Sequence, residues 1–173
     1  MSFRPAYYWY QDLQDSTLAK RFHLVEGRSR DFARHRMVVP RTWLPMSPLR
    51  RGEHYTPLSV FLENPELGDR SASISVCVCS VPTARTAAEH VVRSLGMTLH
   101  DWGDVEEGGS GRALGDETAS VVAVRTSLGN AYVLVALAPR DRFAMLYPAL
   151  NNAAVSFALR HGWAFDDDED GPW

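Results

Sequence analysis

Between residues 71 and 81 the chain reads SASISVCVCSV, an alternation of period two. Ile74, Val76 and Val78 share one face of an extended segment, and Ser75, Cys77, Cys79 and Val81 share the other. Both faces are apolar or small, which predicts a central strand covered on both sides. Two more β-rich runs, ASVVAVRTS (119–127) and AYVLVALAPR (131–140), flank Leu128-Gly129-Asn130 and predict a hairpin. In 55–64, YTPLSVFLEN, Leu58, Val60 and Leu62 alternate with Ser59, Phe61 and Glu63, another strand signal. A shorter strand is expected at Met37–Val39, followed by Pro-rich turns. Extended pieces at 97–105 and 112–118 flank EEGGSG (106–111), which reads as a flexible hairpin loop.

Helical spacing appears three times. Ala87, Val91 and Leu95 recur at i, i+4 and i+8, behind cap candidates Thr83 and Thr86 and ahead of Gly96. Phe143, Leu146, Leu150, Ala153 and Phe157 form one face of a C-terminal helix, with Pro148 expected in its first turn. Tyr10, Leu13, Leu18 and Phe22 predict a helix near 12–24 that Gly27 would end. Consecutive, hairpin-linked strands with interspersed helices predict an α+β fold: a mainly antiparallel sheet with helices packed on it.

A chain of 173 residues, 45 % hydrophobic, can bury a core without disulfides or metal. We divide it into an aromatic, basic extension with a helix (1–35), an α+β domain (36–163) and an acidic, disordered tail (164–173). No apolar run approaches ~20 residues, and the first residues lack the apolar core of a secretory signal. A cytoplasmic location without a membrane anchor is the expectation. Residues 1–51 carry ten Lys/Arg against four Asp/Glu, while the remainder carries eight against seventeen. Such asymmetry marks either an interaction surface or a basic segment lying on its own acidic body.

Cys77 and Cys79 point the same way, ~6.5–7 Å apart on a strand, too far for a disulfide, and no second ligand pair supports a metal site. They read as core packing. The six histidines show no zinc-type pairing, and no phosphate-binding or nucleophile-elbow motif is present, so no cofactor and no catalytic residue is expected. Tyr7, Tyr8, Trp9, Tyr10, Arg34, Arg36, Arg41 and Trp43 instead form a candidate protein contact, because Tyr, Trp and Arg dominate interface hot spots. Two alternatives have named residues. One is a small enzyme with a dispersed site of His100, Asp101 and Ser120. The other is nucleic-acid binding through the basic N-terminal third, including Arg28, Arg30, Arg50 and Arg51, which the overall acidity disfavours.

A strand ending in VVPRTW (38–43), then two strands and a helix, then a long hairpin leading to a C-terminal helix with VSFAL (155–159), resembles the PsbP-like fold over roughly 37–159. That superfamily includes a photosystem extrinsic subunit, a Ran-binding nuclear import factor, bacterial DcrB-like proteins and the Eag chaperones of type VI secretion effectors. The resemblance implies an αβα sandwich whose members mostly bind proteins rather than catalyse, with Pro40 and Trp43 structural. The resemblance is to the DcrB-like or Eag-like bacterial side, but the signal peptide and lipid anchor of many bacterial members are missing, and these absences count against photosystem-like and lipoprotein roles. They point to a cytoplasmic adaptor or chaperone-like accessory factor of a secretion or other multiprotein system. The expected partner is another protein, such as a secreted effector or machine component, and homo-oligomers are compatible with this reading.

Overall fold

A computed structural model describes residues 21–27, 31–47, 55–81 and 83–160. The elements, in chain order, begin with strands β1 (Phe22–Gly27), β2 (Arg34–Pro40), β3 (Leu44–Met46) and β4 (Thr56–Leu62). A short 3-10 helix (Pro65–Arg70) precedes β5 (Ser73–Cys79), and helix α1 (Ala84–Ser94) follows it. Then come β6 (Thr98–Val105), β7 (Gly108–Leu114), β8 (Thr118–Ser127), β9 (Asn130–Pro139), helix α2 (Arg140–Ser156) and β10 (Ala158–Arg160).

Seven strands form one sheet in the order β3-β4-β5-β9-β8-β7-β6, every pairing antiparallel. Its centre is buried on both faces. Ile74, Val76, Val78, Val121, Ala123 and Leu134 pack with Leu150, Ala153 and Phe157 under α2. Cys77, Cys79, Val122, Val124, Val133 and Val135 pack with Ala87, Ala88, Val91 and Val92 under α1. The expected αβα layering of an α+β fold is therefore present, and the two cysteines are free, buried members of the α1-side core.

Local chemistry sets the element ends. The Thr83 hydroxyl accepts from the Thr86 amide at 3.2 Å and caps α1, and Gly96 closes it at φ 79°. The β8–β9 hairpin turns on Leu128 and Gly129, both left-handed at φ 50° and 81°.

A second, three-stranded sheet, β1-β2-β10, was not foreseen. Phe22–Gly27 is a strand, not the end of a helix: its six residues pair in unbroken register with β2. The earlier part of that expected helix, and the aromatics Tyr7 to Tyr10, lie outside the described residues. The α2 helix starts at Arg140, so Pro148 is interior rather than in the first turn. It also stops sooner than its periodicity implied, because Ala158–Arg160 leaves to pair with β2. The two sequence signatures meet at this return: the Val38 amide donates to Ser156 Oγ at 2.8 Å, and Ser156 Oγ donates to the Ala153 carbonyl at 3.1 Å. Trp43 is 5 % exposed in the α2-side core, and its amide bonds the Pro40 carbonyl, a structural role for both residues.

The GGSG segment is not a loop. Only Glu106 and Glu107 turn, and Gly108–Leu114 is strand β7. The glycines are needed for close approach rather than flexibility. A Cβ on Gly109 would enter the Trp102 indole, and one on Gly108 would meet the Val124 carbonyl. We therefore expect Gly108→Ala to cost about 2 kcal/mol, since backbone cannot move aside as a side chain can. Urea denaturation of the two proteins checks this.

Buried His35 gives the fold a pH dependence. Its Nε2 lies 2.7 Å from Ser59 Oγ, its ring meets Phe157 edge-on at 6.3 Å, and it fills the space beside Gly27. Burial pushes the imidazole from 6.5 down to about 4, against a smaller upward pull from Glu26. The unfolded chain thus takes up a proton that the folded chain refuses, so stability falls as pH drops from 6.5 to about 4. The loss should reach at most about 3 kcal/mol and then level off. Unfolding free energies of wild type and His35→Gln between neutral and acidic pH should converge if His35 is the source.

Candidate functional site

Among the residues singled out in the sequence, Arg34 and Arg36 turn inward to the small sheet. Arg36 Nε lies 3.2 Å from Glu26 Oε2, Arg34 Nη1 is 3.4 Å from Oε1, and Arg160 Nη1 reaches Oε2 at 3.3 Å. One glutamate on β1 thus draws together arginines from β2 and β10. Arg36, 2 % exposed, and Trp43 are interior groups, while Arg41 is exposed just beyond β2. Arg28, Arg30, Arg50 and Arg51 lie outside the described residues.

The His100, Asp101 and Ser120 set does not converge. Ser120 lies on β8 opposite Ala113, on the face carrying Val122 and Val124, under α1. Asp101 lies on the α2 side, where a bulge in β6 between His100 and Gly103 puts two residues opposite one on β7. At φ 52° Asp101 is left-handed, a conformation Asp tolerates better than most residues. The bulge turns its side chain toward a cleft.

That cleft, of about 380 Å³, lies between α2 and the β6–β8 end of the sheet and is lined by Asp101, Ser110, Arg112, Arg125, Tyr147 and Asn151, with Val121, Ala154 and Val155 as its apolar part. Arg112 reaches in from β7: its guanidinium sits 5.2 Å above the Tyr147 ring and its Nη2 donates to the Tyr147 hydroxyl at 3.3 Å. Tyr147 and Asn151 are one helical turn apart on α2, so both face the sheet. Phe143 braces the Tyr147 ring edge-on at 5.7 Å.

Arg125 is the unusual member. It shares its β8 face with Val121 and Ala123, which belong to the α2-side core. Its guanidinium stacks 5.9 Å from the Phe157 ring, and Nη1 donates to the Val124 carbonyl at 2.8 Å. Burial pushes it below its usual range without discharging it. Among the described residues no carboxylate pairs with it. Sequence reading missed Arg112, Arg125, Tyr147 and Asn151. The signal was available in Arg125, a charge on the inward face of an otherwise apolar strand.

The same architecture occurs in a solved structure. Cyanobacterial PsbP (CyanoP) from Synechocystis sp. PCC 6803 superposes with a TM-score of 0.55 at 16 % identity, covering 80 % of this chain and 92 % of that one. The fold is PsbP-like. LpqN, involved in cell envelope biogenesis of Mycobacterium tuberculosis, gives a TM-score of 0.49 at 13 % identity over 86 % of this chain and 94 % of its own. No protein-family model matches the sequence, and no curated protein matches it. At 16 % identity the fold is what the chain shares with CyanoP, and function has to be read from the site.

Among the described residues no cluster of His, Cys, Asp and Glu has the geometry of a metal site, and no helix is long and apolar enough to cross a membrane. Cys79 and burial together hold the Cys77 thiol well above its usual range. Cys79 shifts the opposite way through the same contact, but with Cys77 7 % and Cys79 2 % exposed neither sulfur is within reach of solvent. A thiol reagent should modify neither Cys77 nor Cys79 in the folded chain on the timescale of minutes and both after denaturation, which a colorimetric thiol assay with and without guanidinium reads directly.

Proposed function

We propose that this chain is a non-catalytic protein-binding domain, a cytoplasmic adaptor or chaperone-like accessory factor of a multiprotein assembly such as a bacterial secretion machine, and that the α2 cleft holds its partner. The observation that carries this reading is Arg125, a half-buried guanidinium at the cleft with no carboxylate partner among the described residues. A desolvated cation is costly unless an opposite charge completes it, and a partner supplies one. Arginine holds its charge but exchanges no proton near neutral pH. Arg112 and Arg125 beside Tyr147 therefore form a recognition set, of the residue types that concentrate binding energy at interfaces. Exposed Arg41, with Tyr7 to Tyr10 before it in the chain, is proposed as a second contact.

The test is affinity capture by the tagged full-length chain from its own cells, run beside Arg112→Glu, a change at an exposed position. One stoichiometric protein on the wild type, reduced about tenfold or more on the variant, is expected. No stoichiometric protein on the wild type overturns the reading, and equal capture by both chains removes the cleft from it.

A further inference from the structure

We infer that the α2 cleft is a site for a single carboxylate carried on an apolar body, held between Arg112 and Arg125, with the C-terminal carboxylate of a protein chain as its source. The inference rests on the protein-binding reading above and names what is bound.

Charge comes first. Two guanidiniums and the Asp101 carboxylate line the cleft, leaving one net positive charge among its side chains. That balance suits a monoanion. A dianionic phosphate would bring a second charge toward Asp101, which repels it.

Geometry comes second. Arg125 spends Nη1 on the Val124 carbonyl at 2.8 Å and, more weakly, on Gly109 at 3.5 Å, while Nε and Nη2 have no protein acceptor among the described residues. Guanidinium forks match carboxylates in a two-bond arrangement. Arg112 is steadied by the Tyr147 ring and hydroxyl, so it meets a ligand with little further ordering.

The apolar part comes third. Val121, Ala154 and Val155 line the same cleft, beside the arginines. A carboxylate attached directly to an apolar residue satisfies both halves at once, as the last residue of a chain does. The volume, about 380 Å³, lies at the small end of the ~300–1,000 Å³ typical of ligand sites, which fits a chain end better than a folded surface.

The experiment is isothermal titration of the full-length chain with four probes: an N-acetylated tripeptide ending in leucine, the same peptide as its C-terminal amide, octanoate and inorganic phosphate. The free-acid peptide is expected to bind at least about tenfold more tightly than its amide and than phosphate. Arg112→Gln and Arg125→Lys should each lose about tenfold for the acid while leaving the amide unchanged, because lysine keeps the charge and loses the fork. Arg112 is exposed, so its variant keeps the test valid if the Arg125 change disturbs folding, and thermal melts of both report that. Equal binding of acid and amide, or wild-type affinity in both variants, overturns the carboxylate site. Phosphate binding as tightly as the acid overturns its selectivity. Octanoate matching the peptide keeps the carboxylate chemistry and removes a protein as its source. A chain that captures a stoichiometric partner yet ignores all four probes loses this inference and keeps the protein-binding reading.

Discussion

Strands β5, β9 and β8 lie side by side with apolar side chains on both faces, so each face needs its own cover. Ile74, Val76 and Val78 point to one side, and Cys77 and Cys79 to the other. Helix α1 follows β5 closely and covers the thiol side. Helix α2 follows β9 and covers the opposite side, and the small sheet then packs Met37 and Val39 into the same core. The cleft is a by-product of this cover. A single helix does not span the β6–β8 end of a seven-stranded sheet, and the uncovered corner is where Asp101, Arg112, Arg125 and Tyr147 gather.

Much of this was legible in the residues because period-two and period-3.6 patterns report burial directly. The two-faced pattern of 71–81 identified β5 as central, and the left-handed Leu128-Gly129 pair made the β8–β9 hairpin readable. The errors came where distant partners override local preference. Phe22 fits a helical spacing with Tyr10, Leu13 and Leu18, but pairing along β2 makes it a strand residue. Residues 158–160 look helical beside α2 until Arg34 and Arg36 offer them an edge. Gly108 to Gly111 look like a flexible loop because sequence does not show the Trp102 ring and Val124 carbonyl that need the missing Cβ atoms.

The site was harder to read than the fold, for a related reason. Arginine in a basic N-terminal segment suggests a surface, yet Arg36 is spent inside the domain on Glu26. Arg125 drew no notice within an apolar run, although a cation on the core-facing side of a strand is the rarer event. The enzyme alternative named Asp101 and Ser120 together, and only the strand faces separate them: one on the α2 side, the other under α1.

The bond from the Val38 amide to Ser156 Oγ joins positions 118 residues apart. A ribosome adding ~5–20 residues per second needs roughly 6–24 s to make that stretch. Throughout that interval Met37, Val38 and Val39, all fully buried in the finished domain, wait without α2 or β10 to cover them. The nascent chain therefore carries an apolar strand in water for seconds, long enough for a ribosome-associated chaperone to hold it or for neighbouring chains on one polysome to pair through it. The demand this domain makes on its cell falls during its synthesis, before the cleft exists.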